Sequence, residues 1–193
     1  IKAATLQVEL AFLKSQVNPN TRFNRLDKAN ILAKDRPDSA SQILIKLDDL
    51  LCYQTNDSTR DKVYLSADIA FLRDFLDLEK TRRDEFEYTI SKEGDINNVQ
   101  IAPLLFIPFV ENAIKHNHNN EGLSYVHLSF SIYNNKLNFV CVNSVPKVEE
   151  QKKVGGLVLA NIKRRLGLLY KNNYLLKQTK TDITYTVNLE IKL

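Results

Sequence analysis

Four polar side chains within residues 103–117 could do chemistry together. A strongly apolar run there gives way within one residue to a polar set made of Glu111, Asn112, Lys115 and His116. On a helix these four share an arc of about 140°, opposite the apolar stripe. A carboxylate, an amide, an ammonium and an imidazole on one patch can orient a water, hold a metal ion and meet a phosphate. The alternative is an ordinary amphipathic helix whose polar face is solvated.

A second candidate site begins at Gly155 and Gly156, which precede another helical pattern. That pattern carries three polar side chains, Asn161, Arg164 and Arg165. Exposed N–H groups and the helix dipole at such a start both favour a phosphate. Placed beside Asn112 and Lys115, this helix start would complete a nucleotide pocket. The two arginines could equally belong to a solvated face.

The first 58 residues predict a helical hairpin. Apolar residues recur there at spacings of three and four in two runs: Leu6, Leu10, Leu13 and Val17, then Ala40, Leu44, Leu47 and Leu51. A turn over residues 35–39 separates the two runs. One hairpin buries little apolar surface, so we expect two copies to pair into a four-helix bundle. The alternative is that the hairpin packs onto the rest of this chain.

Residues 59–193 predict an α+β domain with an antiparallel sheet and helices on one face. The expected elements, in order, are a helix capped by Ser66 and ending near Arg82, a strand from Phe86, the helix over 103–117, a strand hairpin over 125–142, a polar loop over 143–156, a helix, and a last hairpin over 174–192. Asn134 and Asn135 tolerate positive φ, which predicts a tight turn in the first hairpin.

Composition argues against several classes of protein. The net charge is +4, and no Lys/Arg run is long enough to follow a nucleic-acid backbone. Cys52 and Cys141 lie far apart without metal-ligand spacing, which favours free thiols in a reducing compartment over a zinc site. No window has the length of a membrane span, and no signal peptide is present. The chain has no methionine and starts inside a helical pattern, so we expect an excised soluble fragment.

Several segments, in this order, resemble a known family. ENAIKH, which begins at Glu111, resembles the N-box of the GHKL ATPases. LKSQVNP, PLLFIPFVENAIKH and NIKRRLGLLY resemble the LytS-like sensor histidine kinases of bacteria, and the resemblance spans nearly the whole chain. It implies a phosphoacceptor and dimerisation hairpin over 1–58, followed by a GHKL-type ATP-binding α/β sandwich over 59–193. Such proteins are cytoplasmic portions of inner-membrane kinases, in which a homodimer passes phosphate from ATP·Mg²⁺ to a histidine and then to a response regulator.

The resemblance also implies residue roles in the helix over 103–117. Glu111 would act as the base or orient the attacking group near the γ-phosphate. Asn112 would ligate Mg²⁺ through its amide oxygen, which suits a hard cation. Lys115 and His116 would contact phosphates.

Four further positions follow from the same resemblance. Asn143 stands where many GHKL proteins carry an adenine-binding aspartate. Gly155 and Gly156 would open the ATP lid. Asn161 and Arg165 would lie at the mouth of the pocket.

The chain departs from the family pattern at two positions. The family usually has N-P-H-F-L-F-N at the phosphoacceptor, and here Asn20 stands where the histidine is expected. An amide nitrogen is not a nucleophile, because its lone pair is delocalised into the carbonyl. The lid motif usually has the form G-x-G-L-x-N, and Val158 takes the place of its second glycine. A β-branched residue resists positive φ and blocks close backbone approach.

The sequence therefore predicts the core of a sensor histidine kinase that lacks its usual acceptor. The alternative is a non-enzymatic pseudokinase that dimerises through its hairpin and passes signals by contact. A third interpretation, another GHKL ATPase of chaperone or repair type, would need a transducer domain, which these residues do not contain.

Overall fold

The computed structural model describes residues 37–56, 60–117, 123–145 and 155–193. The helices in these ranges are α1 (Pro37–Asn56), α2 (Leu65–Arg82), α3 (Ile107–His116) and α4 (Gly155–Tyr170). The strands are β1 (Val63–Tyr64), β2 (Phe86–Glu93), β3 (Gln100–Ile101), β4 (Ser124–Tyr133), β5 (Lys136–Ser144), β6 (Tyr174–Lys180) and β7 (Thr184–Lys192).

The main sheet has the strand order β2-β4-β5-β7-β6, and β1 pairs separately with β3. Alternate residues of the central strands, such as Val126, Leu128 and Phe130, are buried beneath the helices, as the period of two requires. The α+β fold is thus confirmed. The tight turn of the first hairpin is also confirmed, because Asn134 and Asn135 both have positive φ.

The sheet is mixed, whereas the sequence predicted an antiparallel one. β2 runs parallel to β4, with Phe86 opposite Ser124. The other neighbouring pairs in this sheet are antiparallel. The parallel pair arises because the chain between β2 and β4 crosses over through α3, and a parallel connection needs such a crossover. Alternation of apolar residues predicts which face of a strand is buried, but it carries no information about strand direction.

Helix α3 begins four residues later than predicted. Residues 103–106 form a turn, and Leu104 there has a φ of 54°. Pro108 explains the start at Ile107, because a proline is tolerated in the first turn of a helix but not in its interior. The start of α2 also differs, because its first residue is Leu65 and Ser66 lies inside the first turn.

Helix α1 corresponds to the second arm of the predicted hairpin. It packs on α2 through buried Ile43, Leu50 and Tyr53, which belong to the same core as the sheet. The first arm lies outside the described residues, and so does Asn20. The two-fold bundle and the domain boundary near residue 58 stay predictions.

None of the helices within the described ranges combines the length and the apolar character that a membrane crossing requires.

Candidate nucleotide site

Helix α3, which carries the predicted polar set, is fixed on the sheet by aromatic packing. The ring of Phe106, just before α3, meets Phe139 of β5 at 4.5 Å and Phe130 of β4 at 5.1 Å between ring centroids. Phe109 reaches Phe139 at 5.7 Å. Such aromatic pairs add about 0.5–1.5 kcal/mol each beyond the area they bury. α3 also contacts α4, so the two predicted halves of the site lie on neighbouring elements.

The four polar side chains of α3 differ strongly in burial. Asn112 is only 8% exposed, Glu111 and His116 are half-buried, and Lys115 is exposed. The Oδ1 atom of Asn112 is buried and has no hydrogen-bond partner. A buried carbonyl oxygen without a partner is unfavourable, and a hard cation such as Mg²⁺ would satisfy it. Asn112 therefore fits a cation ligand better than a residue of a solvated helix face.

The surroundings of His116 favour its neutral form. Burial lowers the pKa of its imidazole, and the charges of Lys115 and Lys180 lower it further. A neutral ring can donate one hydrogen bond to a phosphate oxygen, but it brings no charge. Lys115 is thus the cation of the α3 set.

Asn143 lies near the end of β5 and is 1% exposed. Its Nδ2 atom donates to the carbonyl oxygen of Ser144 at 2.8 Å, which orients the amide. Its Oδ1 atom is buried and has no partner. The side chain therefore has an unused hydrogen-bond acceptor, which could accept from an amino group.

Arg165 lies in a different place from the predicted one. It was expected at the mouth of the pocket, but it is 6% exposed and lies beneath the turn that precedes α3. Its Nη1 atom donates to the carbonyl oxygen of Leu104 at 2.7 Å, and Nη2 donates to that of Pro103. Burial lowers the pKa of its guanidinium, although the charge of Asp68 opposes this change. Ile162 lies three residues before Arg165 and Leu169 lies four residues after it, so helical periodicity puts Arg165 on the apolar stripe of α4.

Asp68 of α2, which the sequence reasoning did not single out, holds the same turn from the other side. Its Oδ1 atom accepts from the backbone N–H of Leu104 at 3.0 Å and from the hydroxyl of Tyr53 at 2.7 Å. The available signal was its spacing: Asp68 falls three residues after Leu65 and four before Leu72 on the apolar stripe of α2. An acid on a buried stripe normally has a specific partner.

The C-terminal end of α3 is held by α2 as well. Arg83 directly follows α2 and donates to the carbonyl oxygen of Ile114 at 3.1 Å and to Oδ1 of Asn117 at 2.9 Å. It also forms an ion pair with Glu79 at 2.8 Å. The last carbonyls of a helix lack intrahelical partners, and a cation there also interacts favourably with the dipole. Charged groups thus hold both ends of α3: buried Asp68 and Arg165 bind the turn before it, and half-buried Arg83 binds its last turn.

The remaining predicted site residues are only partly described. Gly155 and Gly156 are the first two residues of α4, and Asn161 is half-buried six residues into that helix. The segment 146–154 and His118 lie outside the described residues. Within the described part of the chain, no three His, Cys, Asp or Glu side chains cluster as metal ligands. Cys52 is exposed and Cys141 is buried, and both are free thiols.

The family model and the curated relatives that match this chain are histidine kinases. The family model described as histidine kinase matches residues 8–86. Sensor histidine kinase YpdA of Escherichia coli is 25% identical over 174 residues, which cover 85% of this chain and 31% of that protein. Sensor histidine kinase/phosphatase LytS of Staphylococcus aureus is 29% identical over 113 residues, which cover 58% and 19%. The chain thus matches less than a third of the length of either curated relative.

A solved structure shares the fold. The histidine kinase domain of a blue-light activated histidine kinase from Erythrobacter litoralis aligns with a TM-score of 0.53 at 16% identity. The alignment covers 98% of this chain and 96% of that one. At this identity the likeness concerns the fold alone.

Proposed function

We propose that residues 59–193 bind ATP·Mg²⁺ as the phosphoryl donor, as the similarity of the chain to the LytS-like sensor histidine kinases suggests. The observation that carries the proposal is the buried, unpartnered Oδ1 atom of Asn112. Asn112 would ligate Mg²⁺, and Lys115 would neutralise charge on the phosphates. His116 would donate a single hydrogen bond to them. Glu111, half-buried one residue before Asn112, would orient the attacking group.

Asn143 and the start of α4 would bind the rest of the nucleotide. The free acceptor on Asn143 suits the amino group of adenine and does not suit the carbonyl that guanine carries at that position. Gly155 and Gly156 would open the lid, where N–H groups at the start of α4 favour phosphate. Asn161 would face the lid side of the pocket.

The whole protein would be a sensor kinase of a bacterial two-component system. We propose that this core works as a homodimer on the cytoplasmic side of the inner membrane. It would be joined to the membrane only through a segment outside this chain, and its partner would be a response regulator. Asn20 at the acceptor position favours a second candidate, a pseudokinase that signals by contact without phosphoryl transfer.

Calorimetric titration of the 193-residue chain with ATP tests the nucleotide site. With Mg²⁺ present, the parent chain should bind ATP, and Asn112→Ala should lower the affinity by about tenfold or more, because the contact between the amide oxygen and the cation is lost. In EDTA the two chains should bind ATP about equally. Asn188→Ala is the matched control, because Asn188 is an exposed asparagine on β7. Absence of ATP binding by the parent chain at millimolar nucleotide would sink the proposal and favour the pseudokinase without a nucleotide.

A second titration tests the base. The parent chain should bind ATP more tightly than GTP, and Asn143→Ala should reduce this preference. An unchanged preference in Asn143→Ala would remove Asn143 from the base site and leave the Mg²⁺ site to be judged by Asn112→Ala.

A further inference from the structure

Leu104, in the turn that leads into α3, has an unusual backbone conformation. Its φ of 54° lies in the left-handed region, which L residues other than Asn and Asp rarely adopt. Both of its backbone polar groups are bound by charged side chains from two different helices. Asp68 of α2 accepts from its N–H at 3.0 Å, and Arg165 of α4 donates to its C=O at 2.7 Å. Strained residues persist only where the surroundings determine them, and they cluster at functional sites.

The same carboxylate oxygen that binds this turn also binds α1. Tyr53 of α1 donates its hydroxyl to Oδ1 of Asp68 at 2.7 Å, and its ring stacks on Phe71 of α2 at 4.8 Å. Asp68 is 1% exposed and Tyr53 is 8% exposed, so water does not compete for these hydrogen bonds. Oδ1 of Asp68 therefore binds both Tyr53 of α1 and the backbone of Leu104, in the turn that leads into α3. Asp68, Arg165, Tyr53 and the backbone of Leu104 together are called the Leu104 clamp below.

A change in the clamp would reach the candidate nucleotide site by a short, stiff route. Leu104 lies three residues before Ile107, where α3 begins, and Asn112 lies on that helix. A helix moves as a rigid rod over such a distance, so a shift of its first turn displaces Asn112 and Lys115. Arg165 also lies on α4, whose first residues are Gly155 and Gly156. The clamp thus touches α1, α2, α4 and the approach to α3.

We propose that Tyr53, Asp68 and Arg165 are positioning residues through which the packing of α1 sets the start of α3 and hence the affinity for nucleotide. This proposal rests on the nucleotide site proposed above. α1 corresponds to the second arm of the predicted hairpin. A movement of α1 would therefore shift α3 and the proposed nucleotide site through the Leu104 clamp. By thermodynamic reciprocity, bound nucleotide would in turn hold α1 more firmly on α2.

The chain contains a matched contact that lacks this route. Asp77, also on α2, binds Lys46 of α1 through an ion pair and accepts from the hydroxyl of Tyr88 on β2. Among the described residues, the hydrogen bonds of Lys46 and Tyr88 go to Asp77 and not to the turn before α3. Asp68 and Asp77 are therefore two carboxylates of one helix that both hold α1, and only Asp68 is connected to α3.

The experiment measures ATP·Mg²⁺ affinity in the full 193-residue chain with Tyr53→Phe, Asp68→Asn and Asp77→Asn. Tyr53→Phe keeps the ring stack and removes the shared hydrogen bond, so it should lower the affinity by about fivefold or more. Asp77→Asn should change the affinity by less than about twofold. Hydrogen exchange provides the reciprocal readout. ATP·Mg²⁺ should slow exchange of α1 amides in the parent chain and in Asp77→Asn, but less so in Tyr53→Phe.

Each outcome decides between specific alternatives. If Tyr53→Phe unfolds more easily and yet binds ATP·Mg²⁺ as tightly as the parent chain, the clamp is only structural and the coupling is overturned. If Asp77→Asn weakens binding as much as Tyr53→Phe does, general loosening of α1 is the cause and the route through Asp68 is overturned. If the parent chain binds no nucleotide, the proposed function fails and the coupling fails with it. Tyr53→Phe removes one hydroxyl group and keeps the ring. The proposal can therefore be tested with this variant even if Asp68→Asn does not fold.

Discussion

Burial destabilises the charged form of Asp68, whereas hydrogen bonds and the charge of Arg165 stabilise it. Burial raises its pKa to about 6, although the hydrogen bonds from Tyr53 and from the backbone of Leu104, and the charge of Arg165, each lower it. Its Oδ2 atom has no partner, which also favours the protonated form. The group therefore changes its charge within a pH range in which the protein can be studied.

The raised pKa predicts a specific dependence of stability on pH. A carboxyl that holds its proton more tightly when folded contributes stability below its unfolded pKa of 3.8, and this contribution is lost as the pH rises through about 6. The advantage of the parent chain over Asp68→Asn in free energy of unfolding should therefore shrink between these two pH values, by up to about 1.4 kcal/mol per pH unit. Urea unfolding of both chains across this range measures it.

The comparison with Asp68→Asn isolates this one group from the other acids. Tyr53, Arg165 and Tyr170 surround residue 68 in both chains, so the difference between the chains reports on the carboxyl group of Asp68. A difference that stays constant from about pH 4 to pH 7 would mean that Asp68 does not titrate there.

For single residues, the sequence indicates the chemistry that a side chain could do, but not the partners that it meets in the fold. Asn112 was predicted as a ligand from its type and motif, and its buried free oxygen supports this role. The resemblance implied that Arg165 lies at the pocket mouth, whereas its side chain is buried. Its partners are the carbonyls of Pro103 and Leu104, more than 60 residues away in the chain. Helical periodicity predicts the face on which a residue lies, but not the distant group that it meets.

At the scale of elements, local rules predicted the type of each element better than its ends or its direction. The turn at Asn134 and Asn135 follows from residues that tolerate positive φ. The start of α3 was misplaced because the apolar run continues through residues 103–106, whereas Pro108 restricts where a helix can begin. The parallel direction of β2 depends on the crossover through α3, which no local pattern contains.

Replacement by alanine should have opposite effects at Gly94, which follows β2, and at Gly167, which lies within α4. Gly94 follows β2 with a φ of 81°, and an added Cβ would lie 2.4 Å from the carbonyl oxygen of Ile132. Gly94→Ala should therefore lower the free energy of unfolding by more than about 1 kcal/mol. Gly167 lies within α4, where the nearest atom to an added Cβ is the hydroxyl of Tyr174 at 4.0 Å. Gly167→Ala should raise the stability by about 0.5–1 kcal/mol.

Denaturant unfolding of the two variants beside the parent chain checks this pair. Each variant is the control for the other, because both add the same single methyl group. A stabilised Gly94→Ala would contradict the positive φ and the close approach to β4, and a destabilised Gly167→Ala would contradict the open space beside α4.

At the scale of the whole molecule, the proposed phosphoryl transfer needs a donor site and an acceptor, and the chain departs from the family pattern at the acceptor and the lid. The described residues keep an α+β domain in which Asn112 and Asn143 retain free acceptor atoms. The predicted acceptor position carries Asn20, and the lid motif carries Val158. Buried residues of α1 belong to the same hydrophobic core as the sheet. Substitutions at Asn20 and at Asn112 test the proposed acceptor and donor sites separately.

A histidine in place of Asn20 should allow phosphoryl transfer if residues 59–193 bind ATP·Mg²⁺ as proposed. The parent chain, incubated with γ-labelled ATP and Mg²⁺, should take up no label, because the amide of Asn20 is not a nucleophile. Asn20→His should become labelled, since an imidazole nitrogen attacks phosphorus, and the label should be lost in acid and kept in alkali. Asn20→Gln is the matched control, because it changes the side chain but keeps an amide. Adding Asn112→Ala to Asn20→His should abolish the labelling by removing the proposed Mg²⁺ ligand. Label in the parent chain would show another acceptor, and an unlabelled Asn20→His that still binds ATP would place the defect in the lid or in the pairing of the hairpin.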